Sequence, residues 1–130
     1  MVTRLSILGA TGSIGTSALD LIRERSDYKI VALTAHRDAQ KLAVLAREFD
    51  AGIAAVGDEN AFAELKSALA GSGVKAVAGA SGLEEAAAAS SDVLLAAITG
   101  TAGLAPTLAG FAPGRRIALA NKECLVTAGN

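Results

Sequence analysis

Short apolar segments rich in β-branched residues alternate along this chain with longer segments of helical periodicity. The alternation predicts an α/β fold, in which mainly parallel strands are joined by crossover helices and covered by helices on both faces of a doubly wound sheet. We expect about six strands. They lie at residues 4–8, 29–35, 52–56, 74–77, 93–98 and 116–119.

The segments between these strands predict helices at 13–25, 38–49, 59–69, 81–89 and 104–111. The first helix is expected to bury one face formed by Ile14, Ala18, Leu21 and Ile22. The second is expected to bury Leu42, Leu45 and Ala46 and to have Asp38 as its N-cap. Asn121 is a candidate N-cap for a final helix.

Composition narrows the possible functions. With 130 residues, 52% of them hydrophobic and 19% charged, the chain predicts one folded domain, residues 1–130. A net charge of −1 and the lack of a basic amphipathic stretch favour neither nucleic acid nor membrane partners. Cys124 and His36 are the only residues of their types, so we expect no disulfide, no Cys/His metal site and a cytoplasmic location.

Three glycines stand where the first strand becomes the first helix. Gly9, Gly12 and Gly15 have the spacing G-x-x-G-x-x-G, which differs from the commoner G-x-G-x-x-G. Glycine lets the backbone approach a pyrophosphate, and the amides of a helix start attract its charge. Thr11 and Ser13 add possible hydroxyl donors. The pattern predicts a Rossmann-like dinucleotide site, with an ordinary packed turn as the alternative.

The end of the second strand indicates which dinucleotide binds. NAD-binding domains usually place a carboxylate there to accept from the ribose 2′-hydroxyl. Here Arg37 offers a cation for a 2′-phosphate, which favours NADPH. Asp38 follows it, and His36 either lies beside the adenine or phosphate or has no role. The alternative is that Arg37 is a solvated arginine and Asp38 only a cap.

Three motifs together resemble the 1-deoxy-D-xylulose 5-phosphate reductoisomerase family. They are Ser6-Ile7-Leu8-Gly9-Ala10-Thr11-Gly12-Ser13-Ile14-Gly15, the segment at 96–108, and Ala118-Leu119-Ala120-Asn121-Lys122-Glu123-Cys124-Leu125-Val126. The resemblance runs from Val2 to Asn130 and covers only the front part of the family's chain.

The resemblance implies rearrangement of 1-deoxy-D-xylulose 5-phosphate and NADPH-dependent reduction to 2-C-methyl-D-erythritol 4-phosphate in the non-mevalonate isoprenoid pathway, by a homodimer. It implies cofactor contacts at the glycine turn, including Ile14, and at His36, Arg37 and Asp38, where many members have Gly-Lys-Asn. It also implies cofactor contacts at Asn121 and Glu123 and a substrate contact at Lys122.

The resemblance further implies a Mg or Mn ion whose acidic ligands lie beyond this chain, and the carboxylates within it are too scattered to form such a site. We therefore expect no metal ligand and no catalytic residue here, and no turnover by the chain alone.

Two other functions remain open from the residues themselves. One is a Rossmann-like nucleotide-sensing domain without catalysis, which the fold alone permits. The other is the cofactor domain of a different NADPH-dependent reductase, such as a homoserine or semialdehyde dehydrogenase. The polar trio Asn121, Lys122 and Glu123, which follows the strand at 116–119, argues for an enzyme because the ligand side of a parallel sheet lies at such strand ends.

Overall fold

One sheet of seven strands organises the molecule. The computed structural model describes residues 2–97 and, as backbone only, two further strands at 116–119 and 126–128. The strands are β1 (Thr3–Leu8), β2 (Tyr28–Ala35), β3 (Ile53–Val56), β4 (Lys75–Ala78), β5 (Val93–Ala96), β6 (Arg116–Leu119) and β7 (Val126–Ala128).

The strand order is β4-β3-β2-β1-β5-β6-β7. All neighbouring pairs are parallel except β6 and β7, which are antiparallel. The chain builds outward from β1 to β4 and then returns to place β5 on the other side of β1. Ligands of open α/β sheets bind at the carboxyl ends of the strands where this reversal occurs, next to β1.

Four helices connect the strands of the continuous described segment. They are α1 (Ser13–Ile22), α2 (Ala39–Glu48), α3 (Phe62–Ala68) and α4 (Gly79–Ala88), with a 3₁₀ turn at Glu59–Ala61 before α3. No helix in the described part of the chain is long and apolar enough to cross a bilayer.

The helices cover both faces of the sheet. On one face, Leu19 of α1, Leu42 of α2 and Leu65 of α3 are fully buried in the largest core cluster, which also contains Ile7 and Leu33 of the central strands. On the other face, Ala86 of α4 packs against Ala32, Ile53 and Ala55, and Ala87 of α4 packs against Leu8 and Leu94. The prediction of a mainly parallel Rossmann-like sheet with helices on both faces is confirmed.

The buried face of α1 agrees with the predicted one at Ala18 and Ile22, which pack partly buried against the core, but not at Ile14 and Leu21. Leu21 is 78% exposed and Ile14 is 39% exposed, whereas Leu19 is completely buried. Gly15 and Leu19, which are four residues apart and therefore on one face of the helix, are the two buried residues of α1, so the buried face is centred on them.

The prediction for α2 is confirmed, since Leu42, Leu45 and Ala46 are all buried.

Several predicted boundaries also shift. α1 ends at Ile22 rather than at residue 25, and α4 begins at Gly79 rather than at residue 81. The predicted helix at 59–69 divides into the 3₁₀ turn and α3, and Asp58 caps that turn by accepting a 2.9 Å hydrogen bond from Asn60 N. β7 was not predicted. The helix at 104–111 and the candidate cap at Asn121 lie outside the described residues.

Candidate nucleotide-binding site

Two neighbouring loops meet at the carboxyl ends of β1 and β2. We call residues 9–15 the glycine turn and residues 36–38 the β2 loop. β1 and β2 are parallel partners, so the chain leaves both strands at the same edge of the sheet. This edge lies beside the point of reversal between β1 and β5, where a nucleotide is expected to bind.

Two hydrogen bonds donated by backbone amides of the glycine turn hold it against β2. Gly9 has φ of 81°, a left-handed conformation that favours glycine. Gly9 N donates to the buried hydroxyl oxygen of Thr34 at 3.0 Å, and Ala10 N donates to the Thr34 carbonyl at 2.7 Å. Thr34 therefore fixes the start of the turn. Sequence reasoning missed this role, because the two partners are 25 residues apart.

The start of α1 leaves several amides available. Gly12 is the N-cap, with extended backbone and no side-chain capping bond. The first intrahelical bond runs from Thr16 N to Gly12 O at 2.9 Å, so the amides of Ser13, Ile14 and Gly15 have no partner within the helix. Amides at a helix start form a favourable site for a phosphate anion.

The fold constrains the three glycines to different degrees. Gly9 adopts a positive φ. A Cβ on Gly15 would lie 2.3 Å from the Gly9 carbonyl oxygen, so the packing of α1 against the backbone of the glycine turn leaves no room for a side chain. A Cβ on Gly12 would lie 3.6 Å from that same oxygen, which is ordinary contact, and Gly12 is exposed. The fold thus tolerates a side chain at Gly12, so packing alone does not require a glycine there.

The β2 loop presents side chains to solvent. His36, Arg37 and Asp38 are all exposed. The Arg37 guanidinium makes no hydrogen bond or ion pair within the described residues, which leaves its donors available to a ligand. Asp38 is the N-cap of α2, as predicted, because its Oδ1 accepts from Lys41 N at 3.1 Å. The carbonyl of His36 accepts from Asp58 N at 2.7 Å, which connects the loop to the end of β3.

Lys41 connects the two loops. Its ammonium Nζ donates to the carbonyl oxygen of Thr11 at 3.1 Å, from the first turn of α2 to the glycine turn. Sequence reasoning did not include Lys41 in the site. The available signal was its place three residues after a helix N-cap at the end of β2, next to a predicted phosphate-binding loop.

The remaining predicted residues lie outside the described part of the chain. They are Asn121, Lys122 and Glu123, which follow β6 in the sequence. Within the described residues, no three His, Cys, Asp or Glu side chains are grouped so that they could hold a metal ion.

Comparison with known proteins places these features in a family. The sequence model of 1-deoxy-D-xylulose 5-phosphate reductoisomerase matches residues 5–129. The reductoisomerase of Agrobacterium fabrum is 52% identical over 133 aligned positions, which cover 100% of this chain and 34% of that protein. That of Rhizobium meliloti is also 52% identical and is covered to 33%. The chain therefore spans about a third of the length of these relatives.

Solved structures agree with the sequence comparison. The reductoisomerase of Zymomonas mobilis in complex with NADPH superposes with a TM-score of 0.90 at 48% identity, over 95% of this chain and 33% of that chain. A reductoisomerase in complex with NADPH, fosmidomycin and magnesium superposes with a TM-score of 0.85 at 43% identity, over 94% of this chain and 31% of that chain. This chain belongs to the 1-deoxy-D-xylulose 5-phosphate reductoisomerase family.

Proposed function

We propose that this chain is the NADPH-binding domain of a 1-deoxy-D-xylulose 5-phosphate reductoisomerase. The observation that carries the proposal is the opening at Gly12, where the fold has room for a side chain but the sequence has none, in front of amides that lack helical partners. Such amides attract the negative charge of a pyrophosphate. The Zymomonas mobilis relative, which superposes over 95% of this chain, is in complex with NADPH.

Each loop has a distinct task in this proposal. The glycine turn holds the pyrophosphate through the amides of Ser13 and Ile14 and the hydroxyl of Thr11, and Gly12, whose own amide donates to Gly9 O at 3.3 Å, leaves the space for it. Arg37 pairs with the 2′-phosphate, since a guanidinium matches a phosphate with two parallel hydrogen bonds. His36 and Asp38 lie beside the adenosine part. Asn121 and Glu123 contribute further cofactor contacts, and Lys122 contacts the sugar phosphate.

The whole protein would then convert 1-deoxy-D-xylulose 5-phosphate to 2-C-methyl-D-erythritol 4-phosphate. Bound NADPH supplies the hydride for that reduction. Relatives of the family are solved with magnesium. Mg or Mn is proposed to bind to the part of the relatives that this chain does not span, as the resemblance implies. The whole protein is proposed to be a homodimer located in the cytoplasm.

Calorimetric titration tests the proposed cofactor site. NADPH should bind the folded chain, and Gly12→Val should lower its affinity at least about tenfold because the new side chain occupies the pyrophosphate position. Ser17→Val, an exposed position later on α1, is the matched control and should bind NADPH normally. Circular dichroism checks that both variants are folded. Unchanged affinity in a folded Gly12→Val variant would contradict the assignment.

A chimera tests the proposed reaction. The chain alone should oxidise no NADPH with 1-deoxy-D-xylulose 5-phosphate and Mg or Mn, because losing the metal and the enclosing pocket removes many orders of magnitude in rate. Activity should return when these 130 residues replace the matching third of the Zymomonas mobilis reductoisomerase. Turnover by the isolated chain, or a folded chimera that binds NADPH without turnover, would contradict the proposed division of labour.

A further inference from the structure

We infer that Lys41 is a second cation of the 2′-phosphate site and contributes to the preference for NADPH over NADH. The inference rests on the proposed function, because it concerns how the same cofactor is distinguished. It starts from the only hydrogen bond in the described residues that joins an α2 side chain to the glycine turn, from Lys41 Nζ to Thr11 O at 3.1 Å.

Both ends of Lys41 are fixed at the proposed site. Its backbone N donates to Asp38 Oδ1 at 3.1 Å, which holds the residue in the first turn of α2 just after the β2 loop. Its side chain extends back to the glycine turn. The ammonium therefore lies between the loop proposed for the 2′-phosphate and the turn proposed for the pyrophosphate, which is where the adenosine ribose joins the two.

The ammonium still has donors to offer. Lysine carries three N–H donors, and the Thr11 carbonyl uses one of them. Lys41 is exposed, so a ligand can reach the other two. Lysine acts on phosphate as a mobile point charge, whereas the planar guanidinium of Arg37 forms paired hydrogen bonds. The two residues can thus contact one phosphate from different directions.

The local charge also favours a phosphate. Arg37 and Lys41 bring two positive charges to the end of β2, and Asp38 brings one negative charge, with one of its oxygens already bonded to the helix backbone. A 2′-phosphate is attracted by this net positive charge, while the neutral 2′-hydroxyl of NADH gains little from a second cation. Because the site is exposed and screened, the expected effect is moderate, roughly threefold to tenfold in affinity.

The test compares Lys41→Gln with Lys29→Gln in the full chain. Lys29 is exposed near the amino end of β2, at the opposite edge of the sheet, so its substitution changes the net charge equally but away from the site. Affinities for NADPH and NADH are measured by calorimetry. Adenosine 2′,5′-bisphosphate and adenosine 5′-monophosphate, which differ only in the 2′-phosphate, are titrated in parallel.

Lys41→Gln should lower the affinity for NADPH and for adenosine 2′,5′-bisphosphate roughly threefold to tenfold. It should leave the affinities for NADH and adenosine 5′-monophosphate within about twofold of their original values. Lys29→Gln should leave all four unchanged, and Lys41→Arg should restore most of the lost affinity. In a double-mutant cycle with Arg37→Gln, the two losses should not add, because both cations act on the same phosphate.

Two results would overturn the inference. An equal loss for NADPH and NADH would show that Lys41 only braces the glycine turn, and no loss for either would show that it is a solvated surface lysine. Failure of the proposed function is distinguishable from both, because the unmodified chain would then bind neither NADPH nor adenosine 2′,5′-bisphosphate.

Discussion

The glycine turn and the β2 loop lie side by side and serve the same proposed ligand, but they are built in opposite ways. The glycine turn works through its backbone: Gly9 and Ala10 are buried and held by Thr34, and Gly15 is packed against the carbonyl of Gly9. The β2 loop works through side chains, since Arg37 and its neighbours are exposed and, of the three side chains, only that of Asp38 makes a hydrogen bond within the described residues.

This difference predicts how each region fails. A backbone site is damaged by added volume, because a new side chain displaces either the protein's own backbone or the ligand. A side-chain site is damaged by lost charge and tolerates changes in volume, because its residues face solvent. Substitutions that add volume in one region and remove charge in the other therefore distinguish the two kinds of site.

The largest expected effect is on folding, at Gly15. A Cβ there would lie 2.3 Å from Gly9 O and 2.7 Å from Ala10 Cα, so α1 must move away from the backbone of the glycine turn. We expect Gly15→Ala to lower the free energy of unfolding by roughly 2 to 4 kcal/mol, measured by urea denaturation. Gly12→Ala is the control, with a predicted change below about 1 kcal/mol because its Cβ meets only ordinary contacts. Equal stability of the two variants would remove the distinction drawn between these glycines.

The next effect is on cofactor selectivity, at Arg37. Its guanidinium is exposed and unbonded within the described residues, so its loss should not affect the fold. Arg37→Ala should weaken the binding of NADPH by about 1.5 to 3 kcal/mol, roughly a tenfold to hundredfold loss of affinity in calorimetric titration. The affinity for NADH should stay nearly unchanged. Arg37→Lys, which keeps the charge but not the paired donors, should fall between. If both cofactors weaken alike, the preference for NADPH must come from elsewhere.

The sequence predicted the glycine turn well because the requirements of a turn are local. The spacing of Gly9, Gly12 and Gly15 between an apolar run and a helical segment carries the whole signal. The N-cap at Asp38 was predictable for the same reason, since its partner is three residues away.

The contacts of Thr34 and Lys41 were not predictable, because they depend on how β2 and α2 are placed beside β1. Their partners in the glycine turn are 25 and 30 residues distant in sequence. The prediction of the buried face of α1 was wrong at Ile14 and Leu21 for a related reason: helical periodicity alone did not show that Gly15 would pack against the backbone of the glycine turn. β7 has three residues, too few to show a strand pattern.

Thr34 provides a test of the link between the two regions. Thr34→Val removes the acceptor for Gly9 N and leaves a buried donor without a partner, which costs about 1 to 3 kcal/mol of stability. Because the glycine turn would lose this hydrogen bond to β2, the affinities for NADPH and NADH should fall together. Thr3→Val, at the amino end of β1, is the matched control. A loss confined to NADPH would place Thr34 functionally with the β2 loop instead.

The smallest expected effect concerns Asp38, the β2-loop residue whose role is local. Its Oδ1 accepts from Lys41 N, so Asp38→Ala should cost about 0.5 to 1 kcal/mol of stability in urea denaturation, and Asp38→Asn, which can still cap the helix, should cost little. Cofactor titration then separates capping from recognition. If Asp38 only caps α2, NADH affinity is unchanged in both variants, and NADPH binds equally or slightly more tightly once a negative charge near the 2′-phosphate is removed. If Asp38 instead accepts from the ribose 2′-hydroxyl, as acidic residues do in NAD-binding domains, NADH weakens in both variants. That outcome would contradict the assignment of the β2 loop to a phosphate.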